Sequence, residues 1–421
     1  IILRKGLMKM IEDFKNMVEK SLNLSEPWYV KGAEFHADEP AIHIYIGVTK
    51  RAVIACPKCG GATKRYGYEP RERVWRHGDC MFYPTFIHCR RPKVLCPSCG
   101  VQQVNAPFER QDSRFTLMFE GYAMLIMASM PIAKAARALR CDEKTLTNIL
   151  NYWVEKAVDE RKLCDIKSIA IDETSFRKGH DYVTVVIDAA KRAVIDVEPG
   201  KDASTVEKFS EKLTQKGGNC AEIKSVTSDM SAAFLSAVEE KFPNAKHTID
   251  KFHVKQLVLK SLDEVRKKEQ KESSEKQALF RGRKLFMIPE KRLTEEQRIA
   301  LQSLSKQYPK TGRAYRIVSV LDDFYACETA EDADPVFAGL YSWMRRSRLP
   351  EMKNTAATLL KHKDRIMNYF DNRLTNAICE GINSMIQSAK RAARGFHTFK
   401  GFASKIFLVA GKLNLAVSCP F

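Results

Sequence analysis

The stretch 168–198, SIAIDETSFRKGHDYVTVVIDAAKRAVIDVE, decides the fold class of the chain. Three apolar, β-rich runs (168–172, 182–188 and 193–198) are separated by the turn-like segments RKGHD and AAKR. Links this short predict antiparallel neighbours. Beyond them, 203–215 reads as a helix, SVTSD (225–229) as a strand, 231–241 as a helix and KHTID (246–250) as a strand.

Three meandering strands followed by alternating helix and strand is the order of an RNase H-like core. After residue 251 the strand signals stop. Residues 254–284 carry Lys, Arg and Glu at helical spacing, and 295–371 is mainly helical in pattern. The expectation is an α+β multidomain chain whose catalytic domain, 165–421, holds a large helical insertion at about 255–370. Three further segments precede it: an N-terminal helix/strand segment at 1–50, a zinc-binding module at 51–105 and a helix-turn-helix at 110–162. Within the first, 6–22 reads as an amphipathic helix and 41–54 as strand with a turn.

Two-metal phosphoryl transfer needs carboxylates gathered from distant chain positions, and rigid strand ends are natural holders. Asp172 and Asp229 close predicted strands, but so do Asp188, Asp196 and Asp250. Strand-end aspartates also cap turns, so pattern alone leaves all five open. A further acid is Glu380, on the predicted helix 376–394. Ile378, Ile382, Met385, Ile386, Ala389 and Ala393 share one face of that helix. Asn376, Glu380, Asn383, Gln387, Lys390, Arg391 and Arg394 share the other. Such a face can reach a metal through the glutamate and DNA phosphates through the bases; taken alone, it also suits an ordinary solvated face.

Two matching knuckles, CPKCG (56–60) and CPSCG (96–100), bring Cys56, Cys59, Cys96 and Cys99 into the pattern of a structural Zn²⁺ site. The 36 residues between Cys59 and Cys96 exceed ordinary zinc-ribbon spacing, and Cys80, Cys89, His77 and His88 inside them are substitute ligands. Arg71, Arg73, Trp75, Arg76, Arg90 and Arg91 surround the module and suit a DNA contact. The remaining cysteines (Cys141, Cys164, Cys220, Cys327, Cys379, Cys419) are scattered singly, which fits a reducing compartment rather than a disulfide framework.

Pro131–Leu139 reads as a helix with proline first, Asp142 as an N-cap, and Glu143–Val154 as a second helix. The pair predicts a helix-turn-helix that offers Lys144, Thr145, Thr147, Asn148 and Asn151 to a major groove. Composition agrees. Lys and Arg total 70 against 51 Asp and Glu, for a net charge of +19, which favours a polyanionic partner. The longest apolar stretch, Tyr122–Ala133, is too short to span a bilayer and contains Pro131, so a cytoplasmic protein is expected. The chain begins with Ile, which puts its natural start at Met8, at Met10 or upstream.

These separated motifs, in this order, resemble the ISL-three family of insertion-sequence transposases over nearly the whole length. The resemblance rests on the knuckles and helix pair, AIDETSFRKGHDYVTVVID (170–188), SVTSDMSAAF (225–234), TIDKFHVKQLVLKSLDEVR (248–266) and CEGINSMIQSAKRAARGFHTFKGF (379–402). It implies a DDE triad of Asp172, Asp229 and Glu380 holding Mg²⁺ or Mn²⁺, with Asp250, His253 and Asn383 in support. It implies double-stranded DNA as substrate, cut at terminal inverted repeats and joined to target DNA. Bringing two ends together implies a homodimer on DNA. A domesticated, non-catalytic DNA-binding regulator is the opposing reading, and three intact acids count against it. A metal-dependent nuclease that does not join strands shares the fold and the triad.

Overall fold

The computed structural model describes residues 2–177, 181–371 and 373–415. They divide into two units, one built from the chain before Glu160 and one spanning Glu160–Lys412. Cys419, residues 178–180 of the first turn and the side chain of Asn376 lie outside the described residues.

The first unit opens with α1 (Ile2–Ser21), then β1 (Trp28–His36), β2 (Ala41–Val48), β3 (Val53–Ala55) and β4 (Ala62–Tyr68). β5 (Arg73–Cys80), β6 (Tyr83–Cys89), β7 (Pro92–Cys96) and β8 (Gly100–Gln103) follow. β3, β4, β7 and β8 form one sheet, and the knuckles lie at its turns. The hairpin β5–β6 leaves that sheet. It joins β1 and β2 in the order β1-β2-β6-β5, with β6 running parallel to β2. This hairpin accounts for the long spacing between the knuckles. It also means that one sheet takes strands from both sides of residue 50. Alternating burial along β2 turns Ile44 and Ile46 inward onto Ile87, Trp75 and Phe108.

Three helices complete this unit: α2 (Leu117–Ser129), α3 (Ile132–Leu139) and α4 (Glu143–Glu160). Thr116 caps α2 by accepting from the Phe119 N–H at 3.2 Å. α3 ends in a left-handed residue, Arg140 at φ 52°, where glycine is usual.

The second unit is built on β9 (Ser168–Ser175), β10 (Tyr182–Asp188), β11 (Ala193–Pro199), α5 (Ala203–Gln215), β12 (Ser225–Ser228), α6 (Ala232–Lys241) and β13 (Lys246–Ile249). β9, β10 and β11 pair antiparallel; β12 and β13 add in parallel, giving the order β11-β10-β9-β12-β13. β10 is buried at every position but Tyr182, because both faces of the sheet are covered. On one face Val206, Phe209 and Leu213 of α5 and Phe234 and Val238 of α6 pack on Ile169, Ile171 and Val226.

The chain then turns helical: α7 (Lys251–Glu272), α8 (Lys276–Arg281), α9 (Glu295–Gln307), α10 (Pro309–Phe324), α11 (Ala330–Arg346), α12 (Pro350–Lys361) and α13 (Lys363–Met367). These share their own core, which includes Val258, Leu262, Phe324, Phe337, Leu340 and Met352. The chain returns through α14 (Arg373–Ala392), packed on β9, and α15 (Phe399–Ala410), packed on β11.

Candidate active site and DNA-reading elements

Parallel pairing sets the acidic end of the sheet. Ala170 of β9 lies opposite Thr227 of β12, and Thr227 opposite Thr248 of β13. Continuing that register by two residues puts Asp172, Asp229 and Asp250 level with one another at the carboxyl ends of three adjacent strands. His253, on the first turn of α7, sits among them, with Nε2 3.6 Å from Asp172 Oδ1 and 3.9 Å from Asp250 Oδ2. Asn383 of α14 donates from Nδ2 to Asp172 Oδ2. Asp229 accepts from the Ser231 N–H at 2.9 Å, and Asp250 caps α7 by accepting from the Phe252 N–H at 3.0 Å.

The other two strand-end candidates are occupied elsewhere. Asp188 accepts from the backbone N–H groups of Ala190 (2.9 Å) and Lys191 (3.1 Å), closing the β10–β11 turn. Asp196 pairs with Lys212 Nζ at 2.9 Å, and Glu198 binds the same ammonium.

Negative charge is crowded at the acidic end. Burial pushes the Asp250 carboxyl up to about 6, reinforced by the charges of Asp172 and Glu380. Burial, then Asp229, pushes Glu173 up to about 7. Burial also raises Asp229, against the bond from Ser231 and the charge of His253. At His253 burial works downward, but the bond to Asp172 and the charges of Asp172, Asp250 and Asp229 outweigh it and raise the imidazole above its ordinary value. A cluster short of positive charge, with hard oxygen donors, suits a divalent cation such as Mg²⁺.

α14 departs from the expected solvated face. Cys379, Ile382 and Ile386 are buried, whereas Met385, expected on the apolar face, is 45% exposed. The polar row is clamped to β9: Gln387 donates to Thr174 Oγ1 at 2.5 Å and Lys390 to Ser175 Oγ at 2.7 Å. The face bends inward because the outer half of β9 offers hydroxyl and carboxylate acceptors at matching spacing. Arg391 and Arg394 stay exposed, as does Glu380, one turn before Asn383. Two charged groups escaped the sequence reading. Glu173 was visible as the acid next to Asp172; Lys201, whose charge reaches Glu173 and Asp229, carried no local signal.

The four knuckle sulfurs of Cys56, Cys59, Cys96 and Cys99 all lie within 4.8 Å of one another. Among the described residues no other three or more Cys, His, Asp or Glu gather so closely. Gly60 and Gly100, each just after the second cysteine of its knuckle, have φ of 73° and 69°, a turn that a Cβ would strain. Backbone N–H groups of Cys59 and Lys58 pull the Cys56 thiol down to about 7. None of the four substitute ligands joins the quartet: Cys80 closes β5 at the hairpin turn, Cys89 is buried with Trp75, His77 bonds Thr116 at 2.8 Å, and His88 bonds His43 at 2.8 Å.

In the helix pair, Asp142 accepts from the N–H and hydroxyl of Thr145, at 2.7 and 2.6 Å, and so starts α4. That cap occupies the Thr145 hydroxyl. Lys144 and Asn148 are exposed along α4, and Asn151 is half-buried.

Three family models match the chain. Residues 169–406 match a transposase model, the DDE model of ISL3; 52–99 match the zinc-finger of transposases IS204/IS1001/IS1096/IS1165; and 104–154 match the helix-turn-helix domain of transposase family ISL3. The chain belongs to the ISL3 transposase family. It is 24% identical over 410 residues to the transposase for insertion sequence element IS1557 of Mycobacterium tuberculosis, covering 90% of this chain and 91% of that one. It is also 24% identical over 371 residues to the transposase for element IS1001 of Bordetella parapertussis, covering 87% and 90%.

For an ISL3 chain the cysteine quartet, inside the matched zinc-finger, is the seat of structural zinc, and the helix pair is a DNA-binding element. No helix among the described residues is long and apolar enough to cross a membrane. One buried acid ties α4 of the ISL3 helix pair to α2. Glu120 of α2, fully buried, accepts from Arg110 Nη2 (2.8 Å), Ser113 Oγ (2.6 Å) and Trp153 Nε1 of α4 (2.7 Å). Glu120→Ala strands Arg110 and the indole N–H, and is expected to destabilise the unit by roughly 3–5 kcal/mol. Urea unfolding followed by tryptophan fluorescence measures this, and a change under about 1 kcal/mol, typical of an exposed pair, would remove the structural role.

Proposed function

We propose that this chain binds the terminal inverted repeats of an insertion sequence, cuts the DNA there and joins the freed 3′ ends to target DNA. Its catalytic domain, about 165–421, is read as an RNase H-like core interrupted by a helical insertion at about 255–370. The zinc-binding module (51–105) and the helix-turn-helix (110–162) precede it. The triad is Asp172, Asp229 and Glu380. The observation that carries this reading is the level row of acids across β9, β12 and β13, faced by the helix that bears Glu380.

Mg²⁺ or Mn²⁺ held by those three carboxylates supplies Lewis-acid stabilisation of charge at the transferring phosphate. The rest falls to the chain itself. Asn383 and His253 fix the Asp172 carboxylate from two sides, and Asp250 holds the start of α7 so that His253 stays in place. Arg391 and Arg394 face the phosphates, Lys390 adding its charge from its place on Ser175. Lys144, Asn148 and Asn151 read the end sequence from α4, where Thr145, its hydroxyl bonded to Asp142, offers its methyl group. Two ends in one complex call for two active sites, hence a homodimer on DNA.

The test is a cleavage and strand-joining assay on the DNA flanking this gene, with Mg²⁺, comparing wild type with Glu380→Gln. Cut and joined products from wild type alone support the reading. Cut ends that are never joined point to a nuclease. Tight binding without cleavage by either protein points to a regulator, and activity that survives Glu380→Gln shows that another acid completes the site. End binding is further expected to fall at least about tenfold between roughly 50 and 200 mM salt; a flat response would remove the phosphate contacts.

A further inference from the structure

The β5–β6 hairpin ends in a feature that neither the zinc site nor the helix pair explains. Its two central turn residues, Met81 and Phe82, both have positive φ, 51° and 67°. Cys80 pairs with Tyr83 across them. Two positive φ values mark a type I′ turn, which normally takes Asn-Gly because bulky side chains are strained there. Here the side chains are a methionine and a phenylalanine, 81% and 88% exposed. Tyr83 and Phe35, stacked edge-on at 5.0 Å and both exposed, extend the apolar tip.

The surroundings hold this strained tip in place. An extra residue between His77 and Cys80 bulges β5 and re-aims the turn. Buried Thr85 accepts from the Cys80 N–H and donates to the Tyr83 carbonyl, both at 3.2 Å. Arg140, the left-handed residue that ends α3, donates to the Phe82 carbonyl at 3.0 Å. The apolar tip is therefore tied to the turn of the helix pair, three residues before α4 begins. Arg140 is exposed and basic, as are Arg137 and Lys144 elsewhere on the helix pair; at the tip itself Asp79 pairs with Arg140 at 3.7 Å.

We propose that Met81 and Phe82 form an apolar wedge that enters duplex DNA beside α4 and unstacks a base step. Strain and exposed apolar area are retained at a tip that Arg140 ties to the helix-turn-helix, so the partner is the one that element binds, a polyanion with an apolar interior. Stacked base pairs between phosphate rows have that character, and apolar side chains wedged between base steps are a known way of bending DNA. The inference rests on α4 lying in the major groove and adds the second contact that fixes the register of the unit on the end.

The test uses the full chain and the double variant Met81→Asn/Phe82→Gly, which installs the sequence that the turn favours and leaves the charge unchanged. Its melting temperature is expected to equal or exceed that of wild type; Phe82→Asn serves as a second variant. The probes are a duplex ending in the terminal sequence of the element, with 2-aminopurine at successive positions, and a scrambled duplex of equal length. Wild type is expected to raise fluorescence at one step. The variants are expected to lose that rise and bind the end duplex about tenfold more weakly, with scrambled-duplex binding unchanged. Unchanged end affinity and fluorescence in the variants overturn the wedge, as does a change confined to self-association, which would make the tip a contact between copies. Asn148→Ala separates the two levels. If it weakens end binding while the tip variants do not, only the wedge fails. If it leaves end binding intact, the placement of α4 fails and the wedge with it.

Discussion

Asp229→Asn is expected to abolish strand cleavage while leaving folding and DNA binding intact. Asp229 follows β12 directly and is half-buried, and its carboxylate accepts from the Ser231 N–H at 2.9 Å. Asparagine keeps the shape and an acceptor oxygen for that bond and removes only the charge. Burial raises this carboxyl in the folded chain. A carboxyl raised on folding makes its ionised form unfavourable at neutral pH, so the neutral amide should be at least as stable. Cleavage should suffer severely. Removing a carboxylate that holds the cation forfeits several kcal/mol at the transition state, and a loss on the order of a thousandfold or more follows. Nicking of an end-bearing duplex, binding anisotropy and the melting temperature, measured on one preparation, check the three parts. If binding and folding fail along with cleavage, Asp229 is structural.

Cys56→Ser is expected to release the zinc and to weaken binding to the element's ends. A serine hydroxyl stays protonated at neutral pH and cannot replace a thiolate in a set of four sulfurs within 4.8 Å of one another. The sheet around the site packs on a small core, its own Ile54 and Val94 with Val48 from β2. Metal must then supply much of its stability, and structural zinc binds with roughly 10–16 kcal/mol of apparent free energy. The consequence reaches further than the knuckles. β5 and β6 are inserted between Cys59 and Cys96, so a loosened ribbon also loosens the hairpin that completes the β1-β2-β6-β5 sheet. Elemental analysis should find about one zinc per wild-type chain and close to none in the variant. Unchanged zinc content would remove the Cys₄ assignment.

What could be read locally was largely legible. The strands and helices between residues 168 and 250 follow from apolar runs and short turn segments, which report burial and hydrogen bonding within a few residues. The doubled CPxCG knuckle needs only five residues to bend two thiols together, so the sulfur quartet was visible without a fold. Asp142 as the cap of α4 was equally local, and Thr145 answers it three residues on. Side-chain partners were less legible. Met385 looked buried and is exposed, and Lys390 looked free and is bonded to Ser175, because the face a helix buries depends on the element it meets.

The sequence by itself determined the element types, the cysteine quartet, the basic charge and the family resemblance, since all of these are carried by local periodicity, spacing and composition. Only the tertiary structure decided which acids stand together. Asp172, Asp229 and Asp250 come level because β9, β12 and β13 pair in parallel across chain separations that no local pattern encodes, while Asp188 and Asp196 are drawn off by a turn and by Lys212. The same holds for the Met81–Phe82 tip. Its residues are unremarkable in the sequence and take on meaning only where pairing gives them a left-handed turn and Arg140 ties that turn to the helix pair.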